Sequence, residues 1–207
     1  MEQLSRIYLL SPAYSGGKRG RLLLEGRSEF ELAVRLRTSG APIGEVYAFI
    51  SGLYFRGKVA YARAFAAPPP GMPGSLVITA GRGLVDPDQL ISLDELREIS
   101  LIDIDSADPR YAAPLEQHAR DLASSAGPDC RIVLLGSIAS TKYLEPLIET
   151  FGDRLLFPAE FAGRGDMSRG GLMLRCASSG VPLTYVPALG SPRRGPRPPK
   201  LSRPLPL

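Results

Sequence analysis

The side chains best suited to chemistry lie in one glycine-rich stretch, residues 160–171. Five polar side chains occupy ten consecutive positions there: Glu160, Arg164, Asp166, Ser168 and Arg169. An apolar run at 155–157 precedes the stretch and another at 172–174 follows it, which predicts a strand, a loop and a helix start. Such a loop presents backbone N–H groups and charged side chains at the rim of an α/β sheet, where it can hold an anion.

Asp166 and Glu160 are the candidate catalytic residues. Asp166 stands between Arg164 and Arg169 in the sequence, and two guanidinium groups would keep its carboxyl group ionised. It could then act as a base or a nucleophile, although an aspartate at a helix start is also a common helix cap. Glu160 follows the strand directly, and a pair of carboxyl groups is what cleavage of a glycosidic bond requires.

Candidate binding residues follow the predicted strands. The carboxyl ends of parallel strands meet at one edge of a sheet, and ligands of open α/β sheets bind there. The candidates are Lys18, Tyr54, Arg56, Arg82, Ser137, Lys142, Arg164, Ser168 and Arg169. Hydroxyl groups, cations and glycine N–H groups suit a ligand that carries a phosphate or a sugar. The alternative is that glycines and serines occur there because tight turns need them, with Arg56 and Lys58 in solvent.

The glycine-rich loops match no standard nucleotide motif. Residues 14–20 (YSGGKRG) lack the G-x-x-x-x-G-K-[ST] order of a P-loop, and residues 80–83 (AGRG) lack G-x-G-x-x-G. The single histidine, His118, falls inside a predicted helix, which argues against a Ser-His-Asp triad and excludes a histidine-rich metal centre.

The sequence demands neither a cofactor nor a disulfide. Cys130 and Cys176 are far apart and form no C-x-x-C motif, so we expect free thiols. We predict no cofactor. Carboxylates could still bind Mg²⁺, although no spacing requires it, and the candidates are Asp86, Asp88, Glu160 and Asp166.

Strands that alternate with helices must position these residues. The predicted strands are residues 6–10, 45–50, 75–79, 131–135, 155–157 and 182–186, with a further strand pattern at 101–104. The predicted helices are residues 29–38, 54–65, 93–98, 112–126, 142–151 and 167–179. The first helix follows a capping box at Ser28 and Glu31, although its apolar alternation would also suit a strand.

Short continuous apolar strands between helices are typical of a parallel sheet that is buried on both faces. We therefore predict one three-layer α/β domain over residues 1–190, with a mostly parallel, Rossmann-like sheet of about six strands. No apolar run approaches the ~20 residues that cross a bilayer, and the N-terminus lacks a signal-peptide pattern. We expect a cytoplasmic protein with no membrane partner.

The positive charge of the chain is concentrated at its C-terminus. The 207 residues carry a formal net charge of +4. Residues 191–207 contain no acid and five cations, so residues 1–190 carry a net −1; the five are Arg193, Arg194, Arg197, Lys200 and Arg203. The segment is also proline-rich, which predicts an extended, exposed and disordered tail. It could bind nucleic acid, dock on a partner or a second copy of the chain, or have no function.

Four motifs resemble a bacterial family of conserved hypothetical proteins. They are ISGLYFRGKVAYARAF (50–65), VITAGRGLVDPD (77–88), LLGSIASTKY (134–143) and FPAEFAGRGDMSRGGLMLR (157–175). The resemblance covers most of the chain from Ile50 onward and implies no particular activity. Residues 77–83 are also similar to Rossmann-type proteins that cleave or bind nucleoside monophosphates, although the chain lacks the PGGxGT loop of those hydrolases.

These features together predict an enzyme that acts on a small phosphorylated ligand resembling a nucleotide or nucleoside. The expected reaction is hydrolysis of an N-glycosidic or phosphoester bond, with Asp166 or Glu160 as the reacting carboxylate. Two alternatives are a non-catalytic module that binds nucleic acid or protein through the tail, Arg56 and Lys58, and a structural subunit of a homo-oligomer.

Overall fold

A six-stranded sheet forms the centre of the protein in the computed structural model, which describes residues 4–139, 141–191, 195–196 and 198–199. The strands of these residues are β1 (Arg6–Leu10), β2 (Ala41–Pro42), β3 (Ser75–Thr79), β4 (Gly83–Val85), β5 (Leu90–Ile91), β6 (Arg131–Leu135), β7 (Leu155–Pro158) and β8 (Tyr185–Pro187). β2 and β5 pair with each other in a separate two-stranded ribbon.

The order across the main sheet is β4-β3-β1-β6-β7-β8. The four inner strands are parallel, with Tyr8 opposite both Ser75 and Val133, while β4 and β8 pair antiparallel at the two edges. The chain leaves β1 for β3 on one side and later crosses to β6 on the other side. The strand order therefore reverses between β1 and β6, and open α/β sheets form their ligand crevice at such a point.

Helices cover both faces of the sheet. Within the described residues they are α1 (Lys18–Leu24), α2 (Glu31–Thr38), α3 (Ile43–Ser51), α4 (Leu53–Phe65), α5 (Leu93–Ser100), α6 (Pro109–Ala126), α7 (Thr141–Phe151) and α8 (Asp166–Ser179). Parallel crossovers are right-handed, so α4 on the way to β3 lies on one face and α6 and α7 lie on the other. α8 packs closely against α4.

The most apolar strands lie at the centre of the core. Ile7, Leu9 and Leu10 of β1 are completely buried, as are Ile132 and Val133 of β6. Both faces of these strands must be apolar because helices cover each of them. The predicted mostly parallel α/β sheet is thus confirmed.

The strand expected at residues 45–50 is wrong, because these residues belong to the helix α3. Ile43, Val46 and Tyr47 are buried at helical spacing, so the run forms one helical stripe. Pro42 precedes the helix and Gly52, with φ of 62°, ends it. These flanking residues outweigh the β propensity of the aromatic and β-branched side chains.

Two further local expectations are also wrong. Residues 101–104 form no strand, and Leu101 is 78 % exposed. The expected capping box does not form, because Phe30 is the N-cap of α2 and the Ser28 hydroxyl donates to the carbonyl of Leu22 instead. The helix itself is confirmed at Glu31–Thr38.

The five cations of the C-terminal segment lie outside the described residues. Of residues 191–207, the described ones include 195–196, which lie beside Gly163, and Pro199, whose carbonyl accepts a hydrogen bond of 3.4 Å from Arg164. Within the described ranges, no helix is long and apolar enough to cross a membrane.

Candidate functional site

A cavity of about 900 Å³ opens at the carboxyl ends of β1 and β6. Ser11 follows β1 directly, and Ser137 follows β6 after Gly136. Helices supply further polar groups of the wall, among them Tyr54 from α4, Lys142 and Tyr143 from α7, and Asp166 from α8, while Asp103 and Asp105 come from the loop after α5. The position coincides with the reversal of strand order, and the volume is that of a small-molecule site.

Lys58 lies buried beneath Ser11 and is 1 % exposed. Its Nζ atom lies 2.9 Å from the Ser11 carbonyl oxygen and 2.7 Å from Ser11 Oγ. One helical turn earlier, Tyr54 places its ring centroid 4.1 Å from the same nitrogen. Among the described residues, no other lysine, arginine, aspartate, glutamate or histidine is buried. The Lys58 amino group thereby links the residue after β1 to α4.

Burial changes the protonation of Lys58. Loss of water around the ammonium lowers the pKa of Lys58 from 10.5 to about 7. The Asp166 carboxylate opposes this change, and the Arg169 guanidinium adds to it. The amine and ammonium forms therefore coexist near neutral pH.

Two tyrosine hydroxyls lie near Ser11 and Lys58, and they differ in their hydrogen bonding. Tyr54 is 6 % exposed, and among the described residues its hydroxyl has no hydrogen-bond partner of normal geometry. Burial raises the pKa of Tyr54, and the nearby Arg169 partly opposes the rise. Tyr143 accepts a 3.0 Å bond from the N–H of Ser137 and donates one of 3.0 Å to its carbonyl. Because an unpaired buried hydroxyl costs roughly 1–3 kcal/mol, a ligand that bonds to Tyr54 would recover that energy.

Asp166 is the candidate catalytic carboxylate that lines the cavity. It is the first residue of α8, whose N-cap is Gly165, so the alternative role as a helix cap does not apply. Its side chain is 68 % exposed and lies 3.5 Å from the largely buried Arg169. Arg164 instead donates to the carbonyl of Glu160 and to Ser168, which holds the loop in shape.

The cavity brings together four of the predicted site residues: Tyr54, Ser137, Lys142 and Asp166. The others lie outside its lining, and these are Lys18, Arg56, Arg82, Glu160, Arg164, Ser168 and Arg169. Lys18 and Arg56 are exposed to solvent.

Three of the residues outside the lining have evident structural partners. Arg82 forms ion pairs with Glu95 and Glu98. The Glu160 carboxylate accepts hydrogen bonds from the N–H of Thr184, so it holds the segment before β8. Arg169 donates to the carbonyl of Phe161 through two nitrogens. Glu160 and Asp166 therefore do not share the cavity.

Lys58 and Tyr143 are the site residues that sequence reasoning missed. Lys58 was expected in solvent, yet it lies four residues after Tyr54 and three before Tyr61, within the buried stripe of α4. That spacing is a signal in the sequence, because a lysine inside an apolar helical stripe must either be buried or interrupt the stripe.

Neither a metal-binding cluster nor a match to a known protein narrows the function of this site. Within the ranges that the structure describes, no three His, Cys, Asp or Glu side chains come together in a way that could hold a metal ion. No protein-family model matches the chain, and no significant match was found to a curated protein or to a solved structure. The resemblance of the four motifs to a bacterial family stays a prediction.

Proposed function

We propose that the protein is a hydrolase that cleaves the N-glycosidic bond of a nucleoside-like or nucleotide-like ligand in the cavity at the ends of β1 and β6. The observation that carries this proposal is the Asp166 carboxylate at the wall of a cavity that combines tyrosine side chains with serine hydroxyls. Aromatic side chains suit a planar base, and hydroxyl groups suit the sugar.

The charges of the wall favour glycosidic over phosphoester cleavage. Asp103, Asp105 and Asp166 line the cavity, while Lys142 is the one predicted phosphate-binding cation among its lining residues. A phosphoryl centre would be repelled by three carboxylates. Cleavage of a glycosidic bond instead builds positive charge on the sugar, which a carboxylate stabilises.

Each wall residue then has a defined part in the reaction. Asp166 stabilises the cationic sugar or takes a proton from the attacking water. Lys142 pairs with one phosphate of the ligand, and the unpaired Tyr54 hydroxyl donates to the sugar or the base. Arg169 keeps Asp166 oriented from the side away from solvent.

Replacing Asp166 by Asn tests the proposal. The change keeps the size of the side chain and removes its charge, so kcat should fall at least 100-fold. Release of free base from a panel of nucleosides and nucleoside monophosphates, followed by chromatography, measures the loss. Glu160→Gln is the matched control, since it neutralises the other candidate acid outside the cavity, and it should keep near-normal turnover. Equal rates for Asp166→Asn and the wild type, or no base release from any ligand, would contradict the proposal.

Nucleic-acid or partner binding through the tail, and a structural role in a homo-oligomer, are the alternative proposals. Both depend on cations that lie outside the described residues. A chain that ends at residue 190 separates them from the hydrolase: base release should survive this deletion, whereas salt-sensitive nucleic-acid binding or assembly should be lost.

A further inference from the structure

We infer that Ser11 and Lys58 form a second reactive site on the floor of the cavity, in which Lys58 is the base and Ser11 the nucleophile toward the carbonyl carbon of a carboxylic ester. The site goes beyond the proposed glycosidic reaction, because it needs neither Asp166 as a reactant nor a nucleotide as the ligand. It is carried by the contact between the two side chains and by the opening of Ser11 into the cavity.

The geometry satisfies a neutral amine completely. An amine has one lone pair and two N–H groups. The Ser11 hydroxyl can donate to the lone pair over the observed 2.7 Å, and one N–H can donate to the Ser11 carbonyl over 2.9 Å. The other N–H can point to the Tyr54 ring, whose centroid is 4.1 Å from Nζ. Lys58 can therefore be neutral without losing a partner, and it then holds the Ser11 hydroxyl as a base must.

The groups around Lys58 allow this state at neutral pH. α8 contributes Asp166 and Arg169, whose opposite charges partly cancel, and α4 contributes the uncharged Tyr54. Burial outweighs the charges and lowers the pKa of Lys58 to about 7. The amine form is then well populated near pH 7, whereas a lysine in water, with a pKa of about 10.4, is almost entirely ammonium.

Ser11 lines the cavity, and the backbone of Gly136 packs closely against it. A Cβ placed on Gly136 would lie 2.8 Å from Ser11 Cβ, 3.1 Å from Ser11 Oγ and 3.2 Å from the Tyr143 hydroxyl. Any larger residue at this position would displace the Ser11 side chain, so glycine keeps Ser11 in place at the cavity wall. The Tyr54 hydroxyl, which is buried and unpaired, is available to donate to the carbonyl oxygen of the ester as negative charge develops there.

The reaction balances with these two residues and water. Ser11 Oγ forms a bond to the ester carbon while its proton passes to Lys58 Nζ. The ester C–O bond then breaks, and the leaving alkoxide takes that proton as it departs as an alcohol. Lys58, neutral again, takes a proton from a water that attacks the acyl-serine; the C–Oγ bond then breaks, the carboxylic acid leaves, and Lys58 returns the proton to Ser11 Oγ.

A fluorophosphonate probe tests the site on the full-length protein. Ser11 Oγ would displace fluoride from phosphorus and leave a stable adduct, which peptide mass spectrometry assigns to one residue. We expect the adduct on Ser11, with a rate that rises with pH around an apparent pKa near 7. Lys58→Met should slow labelling at least 100-fold and Ser11→Ala should abolish it, while Ser51→Ala, which removes another hydroxyl of the cavity, should have little effect.

If Lys58→Met fails to fold, labelling of the wild-type protein and its dependence on pH still test the inference. An adduct on another residue, no adduct, or a rate that does not change between pH 6 and 8 would each overturn the inference. An equal rate in a folded Lys58→Met variant would do so as well. Because labelling requires no nucleotide, its failure is distinguishable from a failure of base release. Turnover of p-nitrophenyl acetate, which should depend on the same two residues, extends the test from labelling to ester hydrolysis.

Discussion

Raising the pH from 7 to 9 is expected to stabilise the wild type by about 2 kcal/mol relative to Lys58→Met. In the unfolded chain Lys58 keeps its proton up to its ordinary pKa of 10.5, whereas burial lowers the pKa in the fold to about 7. Between these values the unfolded state binds the additional proton. The free energy of unfolding therefore rises with pH across this interval. Methionine has nearly the same length and does not titrate, so its variant lacks this contribution.

Urea unfolding at pH 7, 8 and 9 measures the difference. The interval stops at pH 9 because the buried tyrosines act in the opposite direction at higher pH. Burial raises the pKa of Tyr47 and Tyr111, so the stability they contribute is lost as the pH rises above 10. Lys142→Met, at an exposed lysine, is the control and should follow the wild type. Parallel pH profiles for wild type and Lys58→Met would mean that Lys58 is not deprotonated by folding.

Replacing Gly170 by Ala is expected to lower the free energy of unfolding by about 2 kcal/mol. The new Cβ would lie 2.6 Å from the carbonyl oxygen of Leu53 and 2.8 Å from Cα of Tyr54. Both atoms belong to the backbone of α4, so the two helices must separate before the methyl group fits. The gain in helix propensity, about 1 kcal/mol, offsets only part of this cost.

Gly165→Ala is the control for this substitution because a Cβ on Gly165 meets nothing within 4 Å. Alanine is a poorer N-cap than glycine, so a loss of at most about 1 kcal/mol is expected there. In Gly170→Ala, the separation of α4 and α8 would also move Tyr54 away from Asp166. This variant should therefore weaken ligand binding as well. Equal stability of the two variants, measured by urea unfolding, would show that the α4–α8 contact can accommodate a methyl group at Gly170.

The sheet was predictable because its strands are buried on both faces. Ile7–Leu10 and Ile132–Leu135 are continuous apolar runs. A short run of this kind between two helices is typical of a strand that helices cover on both faces. The helix α3 was not predictable from propensity, because its aromatic and β-branched residues suit a strand. The proline before it and the glycine after it decide its conformation.

The site was predictable in its location and only partly in its residues. Loops after β1 and β6 meet for topological reasons, which places Ser137 and Lys142 at the cavity. Arg82 and Glu160 were expected at the cavity as well. Their partners, Glu95 for Arg82 and the Thr184 N–H for Glu160, are set by tertiary contacts that no local pattern encodes. Charged side chains are rarely buried, so Lys58 was assigned to solvent although its spacing along α4 indicates the core.

The most direct test of the central claim is to locate the ligand site by NMR. Titration of ¹⁵N-labelled protein with a nucleoside monophosphate should produce saturable shifts of the amides at 13–16 and at Ser137, which line the cavity. Amides around His118, which lines a separate shallow groove, should stay unchanged. Two results would contradict the assignment of the cavity as the functional site. One is that the saturable shifts are confined to residues 191–207, and the other is that no amide after the carboxyl ends of β1 and β6 shifts.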